Sequence, residues 1–218
     1  MSKRRIAVIT GWALIIMAII AGFSIGFAFP EFNHPIQIDS LKNNIISKQG
    51  LYWSMLIGIL AILILDLLVS YTLYKYFVDD NKKISLISSI LRIAYTLIFG
   101  IAAFYLMKNL DTNGITEEMI SINFQTFQLI WSIGLVIFGF HVFLLGILMK
   151  LHKVIPPILW YITLIAGVSY VVVHILKLTI TSSGFVNNLE IILALPMAIG
   201  ELGLAIWLLI KGGREKLL

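Results

Sequence analysis

The sequence predicts an all-α fold: a polytopic bundle of six transmembrane helices that forms a single domain over residues 1–218. Of these residues, 60% are hydrophobic and only 12% are charged, whereas soluble domains carry about 25% charged residues. Six apolar stretches are long enough, as helices, to cross roughly 30 Å of hydrocarbon. None of them alternates polar and apolar residues as a barrel strand does. The absence of cysteine excludes disulfides, thiolate metal sites and cysteine nucleophiles.

The six predicted spans cover about residues 6–29, 51–77, 84–107, 124–149, 157–179 and 187–210. The first begins like a signal peptide, but its apolar run exceeds the roughly 7–15 residues of a signal h-region, so we expect an uncleaved span. Gly22 and Gly26 in that span form a GxxxG pair, a weak indication of close helix contact. Pro156 and Pro157 suit the first turn of the fifth span.

The longer connections between spans predict short helices at the outer surface. In PEFNHPIQIDSLKNNIISKQG, Asp39 or Ser40 could cap an amphipathic helix whose leucine and isoleucines share one side. Such a helix is expected to lie at the membrane surface. In DTNGITEEMISIN, Thr116 could cap a second helix of the same kind. The loops VDDNKK and KLHKVIPP are short, which favours antiparallel packing of the helices that they join.

The distribution of basic residues predicts the orientation of the bundle. Eleven lysines and arginines lie near the span ends on one side, and four lie on the other. Cytoplasmic loops of membrane proteins carry this excess, so we expect both termini in the cytoplasm and the protein in the cell membrane. The basic residues flank apolar runs and do not form a patch interleaved with aromatics. This argues against nucleic acid as a partner and predicts membrane lipids instead.

Four ionisable side chains predict a polar layer at one depth in the membrane. Asp66, Arg92 and His141 each lie nine residues from a lysine at the inner end of their span, and Glu201 lies ten residues from such a lysine. At 1.5 Å per residue, all four stand roughly 14–15 Å above those lysines. A charge at that depth costs at least about 2.5 kcal/mol. Small and polar residues recur at helical spacing beside each of them, so these faces should meet other helices.

This layer predicts a ligand site that contains no metal and no cofactor. The predicted ligand-binding residues are Asp66, Arg92, His141, Glu201, Tyr95, Tyr170 and His174. Two carboxyls cannot easily both stay ionised beside one arginine in a low dielectric, so one should hold a proton or share it through His141. His141 and His152 lie roughly 16 Å apart along a helix, too far to share a metal. The Arg92 guanidinium would also oppose a divalent ion.

Four segments of the chain carry a resemblance to a known family. They are DLLVSYTLYKYF (66–77), ISLISSILRIAY (84–95), HVFLLGILMKLHKVIPPILWYITLIAGVSY (141–170) and GELGLAIWLLIKG (200–212). Together they resemble a family of prokaryotic integral membrane proteins that is catalogued only as a domain of unknown function. The resemblance implies a six-helix membrane protein with Asp66, Arg92, His141 and Glu201 at the matching motif positions, and it implies no activity. Leu151 and His152 depart from the family pattern.

Three functions remain open at this point. The first is a binding or transport module for a small polar or amphiphilic molecule. Arg92 would contact an anionic part of that molecule, and His141 would exchange a proton. Asp66 and Glu201 would orient Arg92 or bind a cationic part of the molecule. The second is an intramembrane enzyme with His141 or Glu201 as acid–base and Arg92 as anion stabiliser, although no recognised catalytic motif is present. The third is a non-catalytic scaffold or sensor, in which the ion pair only specifies packing.

Overall fold

The computed structural model describes residues 1–33, 40–111, 114–180 and 184–214, and these ranges contain helices but no strand. The helices are α1 (Lys3–Ala21), which continues through a π-helical segment (Gly22–Ala28) into α2 (Phe29–Phe32), then α3 (Leu41–Ser47), α4 (Gln49–Phe77), α5 (Lys82–Lys108), α6 (Glu117–Leu151), α7 (Pro157–Thr179) and α8 (Gly184–Ile210). Six helical segments in the described ranges are long and apolar enough to cross a membrane. The predicted fold class is therefore confirmed.

The six spans form a closed ring. The span made by α1, the π-helical segment and α2 packs against α4, and the order then runs α4, α5, α6, α7 and α8, with α8 returning to α1. At one end of the ring, the Arg4 guanidinium donates hydrogen bonds of 2.6 to 3.0 Å to the carbonyl oxygens of Leu208, Leu209 and Gly212. Leu208 and Leu209 lie in the last turn of α8 and Gly212 lies in the turn that follows it, where helical partners for the carbonyl groups run out. The first and last described residues thus share one end of the bundle, here called the terminal face; the opposite end is the distal face.

The distal connections differ in part from the prediction. Helix α3 is the short helix predicted in the first outer loop, and Leu41 and Ile45 on it are buried against the bundle, whereas Ile46 is exposed. The predicted cap Asp39 lies outside the described residues. Thr116 does cap a helix, because its hydroxyl accepts a hydrogen bond from the Met119 N–H at 3.2 Å. That helix is α6 itself, so the second separate surface helix was predicted wrongly.

Glycines set the closest approach between helices at α6 and α7. A Cβ on Gly139 would lie 2.9 Å from the Gly167 carbonyl oxygen, and a Cβ on Gly167 would lie 2.5 Å from the Phe143 backbone nitrogen. Residues without a side chain allow the two backbones to come together here. A Cβ on Gly22 or Gly26 would meet nothing within 4 Å, so the GxxxG pair in the first span does not make the contact predicted for it.

Candidate functional site

The four residues of the predicted polar layer meet inside the ring. Arg92 on α5 lies between Asp66 on α4, His141 on α6 and Glu201 on α8. Arg92 is completely buried, and Asp66 and His141 are each 1% exposed. The Glu201 side chain keeps 17% of its surface exposed. The structure therefore brings the four residues into direct contact at one depth, and we call this group the Arg92 cluster.

Every nitrogen of the Arg92 guanidinium has a partner within the protein. An arginine carries five N–H donors on these nitrogens. The Nε group donates to Asp66 Oδ1 at 2.9 Å, and Nη2 forms an ion pair with the same oxygen at 2.7 Å. The Nη1 group contacts Glu201 Oε1 at 2.7 Å and His141 Nε2 at 3.1 Å, and Nη2 also points to Met17 Sδ at 3.9 Å. Each nitrogen of the guanidinium thus already has a partner, so a ligand would have to displace one of these contacts to bind Arg92.

The contacts of His141 define its tautomer. Its Nδ1 lies 2.9 Å from the Ser88 carbonyl oxygen, which can only accept, so Nδ1 carries the hydrogen. The Ser88 hydroxyl lies 2.8 Å from the same nitrogen. The Nε2 atom is then an acceptor for Arg92, and the imidazole is neutral. His141 contacts the guanidinium but does not line the cavity that Asp66, Arg92 and Glu201 line.

The Arg92 cluster has one more potential negative charge than positive. Arg92 supplies one cation, Asp66 and Glu201 supply two carboxyl groups, and His141 is neutral. Of the two carboxyls, Glu201 is the more accessible, with 17% of its side chain exposed against 2% for Asp66. Among the described residues, no group of three His, Asp or Glu side chains is arranged to hold a metal ion.

A cavity of about 700 Å³ begins at this cluster and extends toward the distal face. Its volume falls within the roughly 300–1,000 Å³ of small-molecule sites. Asp66, Arg92 and Glu201 lie at its closed end. Beyond them its walls are largely apolar and include four aromatic side chains, Tyr95, Trp131, Phe138 and Tyr170. Leu129 and Ala198 also line the cavity, and both are exposed.

The part of the cavity nearest the distal face is polar again. Lys177 on α7 and Glu190 on α8 form an ion pair of 2.6 Å there. His174 lies one turn from Lys177, is 5% exposed and also lines the cavity. Its Nδ1 is buried and has no hydrogen-bond partner among the described residues. The predicted site residues Tyr95, Tyr170 and His174 therefore share one cavity with Asp66, Arg92 and Glu201, whereas His141 stands outside it.

Several contacts of the Arg92 cluster were not predicted. Ser88, which orients His141, lies one helical turn before Arg92. This spacing places both side chains on one face of α5 and could have predicted the contact. Phe138 lies with its ring centroid 5.4 Å from the guanidinium carbon, and it stands one turn from His141. Met17 lies in a uniformly apolar span, where nothing in the sequence distinguishes it from its neighbours.

Comparison with known proteins gives a family but no activity. A family model described as a domain of unknown function, DUF4386, matches residues 9–212. A relative described as an uncharacterized protein, from Archaeoglobus fulgidus, is 31% identical over 157 residues, which cover 72% of this chain and 83% of that protein. No solved structure matches. The matched region includes the Arg92 cluster and the residues that line the cavity.

Proposed function

Since this chain belongs to the DUF4386 family, for which no activity is described, we propose a function from its site: it binds or transports a small polar or amphiphilic molecule in the central cavity. The observation that carries this proposal is the 700 Å³ cavity that ends at the Arg92 cluster. An ion pair needed only for packing would be expected in a closely filled core, because unfilled space forfeits dispersion contacts. Here the carboxyl groups adjoin space that a molecule can occupy.

The contacts of the cluster assign different roles to its members. Arg92 is held by five contacts, so its role is to fix the carboxyl groups and not to contact the ligand. Glu201 is the accessible polar group at the closed end, and Asp66 supports it. Tyr95 and Tyr170 form walls for an apolar body. Under this proposal Arg92 does not meet an anionic group of the ligand, in contrast to the expectation from the sequence.

The same contacts favour binding over catalysis. An enzyme of the kind considered from the sequence would need His141 or Glu201 beside the substrate and a free N–H on Arg92. His141 is outside the cavity, and each guanidinium nitrogen of Arg92 already has a partner. Of the two acid–base groups considered from the sequence, only Glu201 lines the cavity.

A pair of variants tests whether the cavity holds a ligand. Ala198→Trp should fill part of the cavity with an indole. The control, Ile199→Trp, places the same side chain at the neighbouring residue, which is exposed and does not line the cavity. A membrane extract containing the ligand at 100 times its dissociation constant would stabilise the protein by about 2.7 kcal/mol. We expect wild type and I199W to melt several degrees higher with extract, and A198W to show no shift. An equal shift in A198W would contradict the proposal.

We also propose that the terminal face is cytoplasmic, because the excess of basic residues lies at that end of the spans. The chain has no cysteine, so single cysteines can report the side of the membrane. Ser47→Cys near the distal face should react with a membrane-impermeant maleimide in intact cells. Asp79→Cys, in the loop between α4 and α5, should react only after the cells are opened. The reverse pattern of labelling would refute this orientation.

A further inference from the structure

Building on the proposed function, we propose that the ligand is a monovalent organic cation, an amine or quaternary ammonium group on an apolar body, with its charge against Glu201. This identifies the class of molecule that the cavity accepts. Three separate features of the cavity support this ligand class: the balance of charges in its lining, the chemistry of its walls, and the buried Nδ1 atom of His174, which has no partner among the described residues.

The charges in the cavity lining leave one negative charge without a counterion. Among the described residues, the lining contains two cations, Arg92 and Lys177, and three carboxyl groups, Asp66, Glu190 and Glu201. Lys177 is paired with Glu190, and Arg92 is shared by the other two. An uncompensated charge is costly to bury. A ligand cation beside Glu201 would supply the missing positive charge.

The same balance argues against an anion or a divalent metal ion. An anion would need a free positive charge, but Arg92 already contacts Asp66 and Glu201, and Lys177 already has a carboxylate 2.6 Å away. A divalent ion at Glu201 would stand beside Arg92 Nη1, which lies only 2.7 Å from Glu201 Oε1. An organic cation spreads its single charge over a larger volume, which lowers this repulsion.

The walls of the cavity suit a cation with an apolar body. Aromatic ring faces attract ammonium groups, and Tyr95, Trp131 and Tyr170 line the cavity beyond the carboxyl groups. Aliphatic side chains, among them Leu129, Leu135 and Leu202, also line the cavity and suit an apolar chain. A membrane amphiphile with a cationic head matches both ends of the space.

His174 provides an independent indication that the cavity takes a polar ligand. It is 95% buried, it lines the same cavity, and its Nδ1 has no partner among the described residues. Burying a polar atom without a hydrogen bond is unfavourable. A ligand with a second polar group nearer the distal face would satisfy this nitrogen.

Two ions of matched shape and opposite charge test the inference. Tetraphenylphosphonium and tetraphenylborate share one geometry, so a difference in binding reports charge. We expect the wild-type protein in lipid nanodiscs to bind the phosphonium and not the borate above the background of empty discs. Glu201→Gln should weaken phosphonium binding at least tenfold, since the amide oxygen can still accept from Arg92 while the negative charge is gone. Glu118→Gln, an exposed position on α6, should bind as wild type does.

The outcomes separate this inference from the proposed function. The proposal of a cationic ligand would be overturned by any of three results. These are no binding of the phosphonium, equal or stronger binding of the borate, and an unchanged affinity of E201Q for the phosphonium. If A198W still abolished stabilisation by membrane extract in that case, the proposed cavity function would stand with a ligand of another class. If A198W left that stabilisation intact, the cavity would not be the site at all.

Discussion

Replacing Arg92 with Gln should destabilise the bundle by about 3–5 kcal/mol, the usual cost of removing one partner from a buried charge pair. The change leaves Asp66, 1% exposed, beside Glu201 without a counterion, and it removes the donor from His141 Nε2. For a chain of this size, the loss corresponds to a drop in melting temperature of roughly 6–20 °C. Thermal unfolding of the purified protein in detergent measures it.

The matched control for this prediction is Glu201→Gln. The amide oxygen of Gln can accept the hydrogen bond from Arg92 Nη1, and the change removes the excess negative charge of the cluster. We therefore expect E201Q to melt within a few degrees of the wild type. If R92Q also melted near the wild-type temperature, the Arg92 cluster would not contribute to the stability of the bundle.

Replacing Gly167 with Ala is the second substitution for which we expect a large effect. The added Cβ would lie 2.5 Å from the Phe143 nitrogen and 2.7 Å from its Cα. These are backbone atoms, so no rotamer change relieves the overlap, and α6 and α7 must move apart. Overpacking of this kind costs typically 1–3 kcal/mol, and we expect the upper end of that range, with partial aggregation on size exclusion.

Gly100 on α5 provides a matched control for this substitution. A Cβ there would meet only the Leu63 Cδ1 atom, at 3.8 Å, which is an ordinary contact. Gly100→Ala should be neutral or stabilise the helix by up to about 1 kcal/mol, because Ala has the higher helix propensity. Equal melting temperatures for G167A and G100A would show that the approach of α6 to α7 is not limited by this glycine.

The depth of the Arg92 cluster could be predicted because lysines mark the membrane boundary on each span. Counting nine or ten residues from Lys75, Lys83, Lys150 and Lys211 places four side chains at one level, and the structure brings them into contact. The count works because a helix rises by a constant distance per residue. The family resemblance, which was based on the segments around these residues, is also confirmed. That these residues bind a ligand stays a prediction.

Helix boundaries and hydrogen-bond partners were harder to predict. The fourth span was expected from about residue 124, but α6 begins at Glu117, because a polar helical turn outside the membrane gives no apolar signal. Ser88 and Ser89 lie next to each other, yet Ser88 contacts His141 and Ser89 contacts Ser70. The rotation of each helix about its axis decides between such neighbours, and tertiary packing sets that rotation.

The central claim is that the charge of Arg92 is balanced inside the bundle by carboxylates and is not reserved for a ligand. The most direct test is a double-mutant cycle between Arg92→Gln and Asp66→Asn, with the free energy of unfolding measured by titration with a denaturing detergent. The account predicts that the double variant is more stable than R92Q alone, with a coupling of at least about 1 kcal/mol, because it no longer buries an unpaired carboxylate. Strictly additive losses would contradict it.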